Sequence, residues 1–212
     1  IADMSYARYY FGLAAIDDKI YAVGGGLAAE GSSNNNSGEV YDPITNKWTI
    51  IMPPPIPESW TINTVASLNG ILYAICRIPS GNQTLVAYTP TKNEWVSLAL
   101  PPACGTGELP ECPYDSWAAL KASDMSPDMS ASYPGGLLYL AGAREVEYSM
   151  PQVYDPSTDK WHTAHAVPAV AGSSAVAAGA AAIVSSYFSA MAALDGKIYI
   201  VGGHITTEGY QA

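Results

Sequence analysis

One short phrase occurs three times along the chain. In each copy a proline follows a tyrosine by two residues, and a tryptophan follows the same tyrosine by seven. Such self-similarity marks proteins built from repeated units, each of which buries its apolar face against a neighbouring copy. The repeat therefore restricts the fold more than the composition does. The pairs are Tyr41 with Trp48, Tyr88 with Trp95, and Tyr154 with Trp161.

A second phrase precedes each copy, a turn that runs into an apolar segment ending in tyrosine. It occurs four times, at Tyr21, Tyr73, Tyr139 and Tyr199, so the chain holds three units and the first half of a fourth. Within the first unit, short apolar runs alternate with turns rich in Asp, Asn, Gly and Pro,. We predict an all-β fold with one four-stranded antiparallel sheet per complete unit, the sheets packing radially as the blades of a propeller. The runs are residues 9–16, 20–23, 39–41 and 47–50.

This order of phrases resembles the kelch repeat. The first unit carries the family's full set, and the fourth repeats its first half. The second unit departs from the pattern, with Cys76 and Arg77 in place of a double glycine. The resemblance implies a kelch-type β-propeller in which glycines let blades pack closely and the Tyr and Trp rings wedge between sheets. The glycines concerned are Gly24 and Gly25 in the first unit and Gly202 and Gly203 in the fourth.

The spacing of the units predicts insertions. Successive strand tyrosines are 52, 66 and 60 residues apart, whereas a repeat of this kind spans roughly 50. Three and a half blades do not close a ring, so we expect residues 1–212 to be one propeller segment that another chain or further residues complete,. The predicted blades are 5–52, 56–100, 124–165 and, in part, 184–212, with insertions at 103–123 and 167–185.

The charge balance excludes one class of partner. Nineteen acidic against nine basic residues leave a formal charge of −10, and no segment concentrates Lys or Arg. A nucleic acid would meet a repulsive field and no basic stripe. The uncharged stretch at 166–194 is rich in Ala, Gly and Ser, residues that gain little in lipid, so we expect no membrane insertion,.

No arrangement of catalytic or metal-binding residues stands out. His162 and His165 are three residues apart in a predicted outer strand, which places them on opposite faces, and His204 follows the last glycines,. We expect no metal, no cofactor and no enzyme activity. Some copper-radical oxidases share the kelch-type propeller and need a Tyr–Cys crosslink, for which only Cys76 lies inside a blade. A secreted galactose-oxidase-like enzyme is therefore the alternative function.

Cysteines and sequons bear on the compartment. Cys104 and Cys112 flank a short acidic loop that a disulfide would close; two reduced thiols are the alternative,. Asn35 and Asn82 begin formal glycosylation sequons in predicted loops,. Together with the low charge, these features favour a secreted glycoprotein in an extracellular or secretory setting, with a cytoplasmic location as the alternative.

The remaining functional signal is aromatic. Tyr9 and Tyr10 precede the strand tyrosine of the first unit by 12 and 11 residues, as Tyr187 and Phe188 do in the fourth, and Trp60 lies at the corresponding position of the second. In an alternating strand about half of such rings belong to the core. The others would supply large contact area at little entropic cost. Both interpretations stay open at this point.

We therefore expect a non-enzymatic protein-interaction module, a rigid kelch propeller that binds another protein through inter-blade loops, as an adaptor or as a scaffold subunit. The two insertions are the expected recognition loops, and the first of them is acidic. The candidate partner contacts are the five aromatic residues named above together with Arg8, Glu108 and Glu111.

Overall fold

Apolar runs between short turns fold into antiparallel strands along the whole described chain. Most turn positions with positive φ are occupied by Asp, Asn or Gly, which tolerate that backbone region better than other residues,. The chain divides into two compact units, unit 1 at Ile1–Pro101 and unit 2 at Pro102–Ala212. The computed structural model describes residues 1–27, 36–57, 61–77, 83–99, 116–141, 152–163, 186–194 and 197–205.

Unit 1 contains two four-stranded antiparallel sheets. The first has the strand order β2-β3-β5-β6, and β1 and β4 form a separate two-stranded pair. The second has the order β7-β8-β9-β10, with a register shift between Ile62 and Thr64. The strands are β1 (Arg8–Tyr9), β2 (Gly12–Ile16), β3 (Lys19–Val23), β4 (Gly26–Leu27), β5 (Gly38–Asp42), β6 (Lys47–Ile51), β7 (Thr61–Leu68), β8 (Ile71–Arg77), β9 (Gln83–Thr89) and β10 (Glu94–Ser97).

Unit 2 repeats the plan with one complete sheet and one hairpin. Strands β11 (Ser116–Leu120), β12 (Leu137–Ala141), β13 (Gln152–Asp155) and β14 (Lys160–Thr163) form a four-stranded antiparallel sheet in that order. Strands β15 (Ser186–Leu194) and β16 (Lys197–Ile205) form an antiparallel hairpin. Three complete sheets and half of a fourth confirm the predicted all-β fold of kelch-type blades.

The connection between β11 and β12 corrects one predicted boundary. A 3-10 helix (Ala122–Asp124) and a short helix α1 (Pro127–Ser132) lie between these strands, where the other complete sheets have two-residue turns. The first insertion, predicted at 103–123, and the third blade, predicted from 124, are wrong in their limits because the inner strand β11 lies at 116–120. Met125 and Met129 from this connection are buried in the core of unit 2 with Leu120, Leu137 and Val153.

The core of unit 1 lies between its two sheets. Val23 and Ile51 of the first sheet are buried with Ile62 and Val65 of the second. The strand tyrosine Tyr21 of the first sheet also meets the phrase tyrosine Tyr88 of the second there, with ring centroids 6.1 Å apart. Neighbouring sheets thus bury each other's apolar faces, as the repeat requires.

The double glycine of the first unit brings the second sheet close. Gly24 and Gly25 have φ of +76° and +83°, a region that side chains other than glycine rarely adopt,. The Gly25 N–H donates to the Ile62 carbonyl at 2.9 Å. A Cβ on Gly24 would lie 2.3 Å from the same carbonyl oxygen. Gly24 through its missing Cβ and Gly25 through its N–H thus bring the first sheet into close contact with β7.

The main chain that leaves the first sheet is held by hydrogen bonds from the second sheet. The side chains involved belong to a tyrosine, an asparagine and a tryptophan. The Asn93 side-chain oxygen accepts hydrogen bonds from the Tyr88 hydroxyl at 2.8 Å and from the Met52 N–H at 3.0 Å. The Trp95 indole N–H donates to the Met52 carbonyl at 2.7 Å. Met52 directly follows β6, so both main-chain groups of one connecting residue are held. We name this arrangement the Tyr–Asn–Trp clamp.

The first sheet repeats the clamp on the N-terminal segment. Asn46 accepts hydrogen bonds from the Tyr41 hydroxyl and the Ala2 N–H, both at 2.8 Å, and the Trp48 indole N–H donates to the Ala2 carbonyl at 3.0 Å. In unit 2 the Tyr154 hydroxyl donates to a carboxylate, that of Asp159, at 2.6 Å.

The strand register explains why the tyrosine and the tryptophan of each sequence phrase are seven residues apart. Each phrase tyrosine lies directly opposite its tryptophan across a hairpin that closes through a tight turn. The ring centroids of the three pairs, Tyr41–Trp48, Tyr88–Trp95 and Tyr154–Trp161, are 5.2, 5.0 and 5.1 Å apart.

The chain offers a matched pair of glycines for measuring the close approach. Gly24 and Gly70 share a φ of +76°, but a Cβ on Gly70 would meet no atom within 4 Å. We expect Gly70→Ala to lower the free energy of unfolding by about 1–2 kcal/mol, the left-handed backbone cost alone. Gly24→Ala should cost a further 1–3 kcal/mol, roughly, from overpacking against Ile62. Urea unfolding of both variants measures the difference, and equal losses would contradict the packing role.

The clamp residue Asn93 has a natural control in Asp159. Asn93→Asp keeps the acceptor, so we expect a change in unfolding free energy within about 0.5 kcal/mol. Asn93→Gly tolerates the φ of +53° but removes the acceptor from two donors, and should cost about 0.5–1.5 kcal/mol,. Thermal and urea unfolding of the two variants test this expectation. A glycine variant as stable as the wild type would show that the clamp does not stabilise unit 1.

Candidate functional site

The two ends of the sheets in unit 1 differ. Short turns close the hairpins at one end, which we name the turn end; Asp17, Asp18, Asn69 and Gly70 lie there. At the opposite end, the connection end, the chain leaves the sheets after β3, β6 and β8 and re-enters at β5, β7 and β9. Connecting segments on a rigid scaffold carry recognition in many folds.

An exposed group of tyrosines occupies the connection end of the first sheet. Tyr10 is 80% exposed, Tyr9 51% and Tyr6 42%. The rings of Tyr9 and Tyr10 meet edge to face, with centroids 5.5 Å apart and planes at 76°. We name Tyr6, Tyr9 and Tyr10 the aromatic platform. Tyr9 and Tyr10 thus lie outside the described core of unit 1, and the contact interpretation of these rings stays a prediction.

Tyr10 has an unusual backbone conformation. Its φ is +52°, a region in which large side chains are outliers,. The residue lies between β1 and β2, and it separates the pairing of Tyr9 with Gly26 from that of Gly12 with Val23. Strained backbone held by its surroundings occurs preferentially at ligand-binding and catalytic sites.

Glycines hold the ring of Tyr9. A Cβ on Gly26 would lie 2.3 Å from Tyr9 Cζ, so the ring rests against the glycine backbone. A Cβ on Gly25 would lie 2.5 Å from the Tyr9 carbonyl oxygen. The run from Gly24 to Gly26 therefore serves two purposes, close packing of the next sheet and support of the platform.

A buried ion pair lies beneath the platform. Arg8 Nη2 is 2.9 Å from Glu39 Oε1, and both side chains are fully buried. The Arg8 guanidinium also donates to the carbonyls of Gly24 and Ser37 at 3.0 and 2.8 Å and to the Ser37 hydroxyl at 2.7 Å. Its Cζ lies 5.8 Å from the centroid of the Tyr6 ring. Arg8 thus links the N-terminal segment to β5.

Glu39 completes this link. Its carboxylate accepts hydrogen bonds from the backbone N–H groups of Ser5 and Tyr6, at 2.7 and 3.3 Å. Burial alone would raise the pKa of Glu39, but the hydrogen bonds from Arg8 and Ser5 and the charge of Arg8 outweigh it and hold the pKa below its usual value,. The expectation that Arg8 contacts a partner is contradicted, because its guanidinium is buried and bonded within the sheet.

Most of the exposed charged side chains that the structure describes in unit 1 lie at the turn end. In the described part of unit 1, the charged side chains that reach solvent lie beside the turns, apart from Asp3, which follows the clamped Ala2. At the connection end of the first sheet, the side chains of Arg8 and Glu39 form an ion pair and neutralise each other. The charged residues beside the turns are Asp17, Asp18, Lys19, Asp42, Lys47, Lys92 and Glu94.

Several predicted site residues lie outside the described residues, and their roles stay predictions. The predicted aromatic contacts of the fourth unit are Tyr187 and Phe188, and their backbone lies within β15. That strand runs without the break that Tyr10 makes in the first sheet. Tyr6 was not identified from the sequence. The only feature of the sequence that could have indicated it is its position close to Tyr9 and Tyr10 along the chain. The residues outside the description are Trp60, Glu108, Glu111, Cys104, Cys112, Asn35 and Asn82.

Two further searches concern the described ranges only. Within them, no three His, Cys, Asp or Glu side chains converge as a metal site requires. No described helix has the length and apolar character to span a membrane.

Comparison with known proteins points to one family. A family model described as the Kelch motif matches residues 7–55, a stretch that holds the first sheet together with Tyr9 and Tyr10 of the platform. The chain is 25% identical to Kelch-like protein 40 of Xenopus tropicalis over 208 residues, which are 95% of this chain and 28% of that protein.

Other relatives agree. Kelch-like protein 35 of Mus musculus is 27% identical over 206 residues, 96% of this chain and 28% of that protein. Alpha-scruin of Limulus polyphemus is 30% identical over 109 residues, 44% of this chain and 11% of that protein. The chain spans only 28% of the length of the two kelch-like relatives.

The buried pair supplies a stability prediction with an internal control. Arg8→Met leaves Glu39 buried without its cation, and we expect a loss of about 3–5 kcal/mol in the free energy of unfolding. The exposed pair of Lys19 and Asp42, 3.6 Å apart, is the control, and Lys19→Met should cost less than about 1 kcal/mol,. Urea unfolding at neutral pH compares them. Equal small losses would contradict the structural role of Arg8.

The same pair predicts a pH dependence. Because the pKa of Glu39 is lower in the folded than in the unfolded protein, its ionised form stabilises the fold above the unfolded-state pKa,. This contribution is lost as the pH falls through the folded-state pKa. The acid limb of the stability curve should therefore flatten in Glu39→Gln relative to the wild type.

Proposed function

Because the chain belongs to the kelch-repeat family, we propose that it is a non-enzymatic protein-interaction module whose sheets present the aromatic platform to a protein partner. The observation that carries the proposal is the platform itself, with Tyr10 held in a left-handed conformation at 80% exposure beside Tyr9. Exposed tyrosines on a rigid support are typical of contact residues that dominate binding energy.

The support for recognition rather than catalysis comes from where the reactive groups lie. Arg8 and Glu39, the ionisable pair nearest the platform, are buried and bonded to each other. Cys76, which the copper-radical oxidase alternative would need, is buried in the core of unit 1, and burial raises the pKa of its thiol. None of the relatives reported above is named as an oxidase.

Further elements of the proposal lie outside the described residues. We propose that Trp60, together with Glu108 and Glu111 of the acidic loop, extends the contact surface. Because the chain spans only part of its relatives, its role as adaptor or scaffold and its completion by other residues are likewise proposals. The insertion at 167–185 stays the predicted second recognition loop.

We infer the cellular compartment from the relatives rather than from the cysteine and sequon signals in the sequence. The expected secretory setting rested on Cys104, Cys112 and the sequons at Asn35 and Asn82, none of which the structure describes. None of the relatives reported above carries a secretory designation in its name. Of the two compartments, we propose the cytoplasmic alternative.

Site-specific photo-crosslinking tests the proposed function. A benzophenone amino acid placed at Tyr10 should crosslink the native protein to a protein partner in cells, because the position faces solvent within the platform. The matched control is Ile44, which is 94% exposed but lies at the turn end. We expect a discrete crosslinked species from position 10 and none of the same mass from position 44. No species, or the same species from both positions, would contradict the proposal.

A further inference from the structure

We propose that the connection between β6 and β7 is itself a ligand, recognised by partner domains whose aromatic-lined grooves bind proline-rich segments. This inference goes beyond the proposed function, because it concerns a segment outside the aromatic platform and names a second class of protein partner.

The connection is rich in proline. Four of the five residues from 53 to 57 are prolines, and the fifth is Ile56. Proline fixes its own φ near that of the polyproline II helix, and the residue before a proline is restricted to extended conformations. Every residue from 52 to 57 is subject to at least one of these restrictions. The segment therefore has little conformational freedom to lose when it binds.

Three of these proline rings face solvent. Pro53, Pro55 and Pro57 are exposed, whereas Pro54 is buried. The side chain of Met52, which begins the segment, is 52% exposed. Packing within unit 1 thus involves the ring of Pro54 and leaves the other three rings available to a partner.

The backbone of the segment restricts how a partner can recognise it. Residues 53–57 carry a single backbone N–H, that of Ile56, because proline has none,. This N–H donates to the Pro54 carbonyl at 2.8 Å, and the chain bends at Pro55 and Ile56. A partner strand needs a ladder of backbone donors and acceptors, so strand pairing with this segment is excluded. Aromatic grooves instead bind the proline rings of a preformed backbone.

Both ends of the segment are held on the scaffold. Asn93 and Trp95 bind the main chain of Met52 in the Tyr–Asn–Trp clamp. At the other end, the Asn36 side-chain amide donates to the Pro57 carbonyl at 2.7 Å. A ligand held in this way is presented in one conformation, which lowers the entropic cost of binding.

Stiffening of the connection is the competing explanation for the prolines. A proline at a compatible position stabilises a fold by lowering the entropy of the unfolded chain. That role concerns stability alone, and it predicts that partner capture does not depend on Pro53 or Pro55. Measuring capture and stability on the same variants therefore separates the two explanations.

An array of purified domains tests the inference. WW, SH3 and EVH1 domains, which bind proline-rich segments, are immobilised and probed with the labelled full chain. We expect at least one domain to capture the chain, with an affinity that falls at least about fivefold in Pro53→Ala and in Pro55→Ala. Pro43→Ala is the matched control, an exposed proline in the turn between β5 and β6, and should leave the affinity within about twofold,.

Two results would overturn the inference. An array without capture would reject the partner class, and equal capture of the wild type and the double variant Pro53→Ala/Pro55→Ala would place recognition elsewhere. Urea unfolding checks that every variant is folded, and the single variants decide if the double variant is not. The crosslinking at Tyr10 tests the proposed function independently of this result.

Discussion

The Tyr–Asn–Trp clamp is the contact on which the order of the sheets in unit 1 depends. A four-stranded sheet of this kind has two apolar faces and needs a neighbour placed in one register. The clamp sets that register through main-chain groups, since Asn93 and Trp95 hold the N–H and carbonyl of Met52. The identity of the clamped side chain is immaterial, and Ala2 occupies the same position against Asn46 and Trp48. Divergent sequences can therefore share one arrangement of sheets.

The sheets were predictable because their signals are local. The seven-residue separation of Tyr41 and Trp48 corresponds to a cross-strand pair, and Asp, Asn and Gly mark the turns. The strand limits of the first sheet therefore agree closely with the prediction. The inner strand of the third sheet was missed because helical residues replace the short turn that follows it in other sheets. Without that turn signal, Ser116–Leu120 carried no mark of a strand.

The site was predictable only in part, because its geometry depends on distant residues. Alternation along a strand assigns each side chain to a face, but the positive φ at Tyr10 interrupts the strand and exposes both neighbouring rings,. Nothing local in the sequence announces this break. Arg8 is buried because Glu39, far along the chain, reaches back to it. Because Arg8 is charged and lies beside exposed aromatic residues, it was assigned from the sequence to the contact surface. The structure instead places it in the buried support of that surface.

The attachment of the N-terminal segment has a consequence for how recognition can change over evolution. Residues 2–8 are fastened to the first sheet through the clamp at Ala2, the carboxylate of Glu39 and the guanidinium of Arg8. None of these hydrogen bonds uses the rings of Tyr9 or Tyr10. Substitutions at positions 9 and 10 can therefore change the chemistry of this exposed surface while the segment stays attached to the sheet.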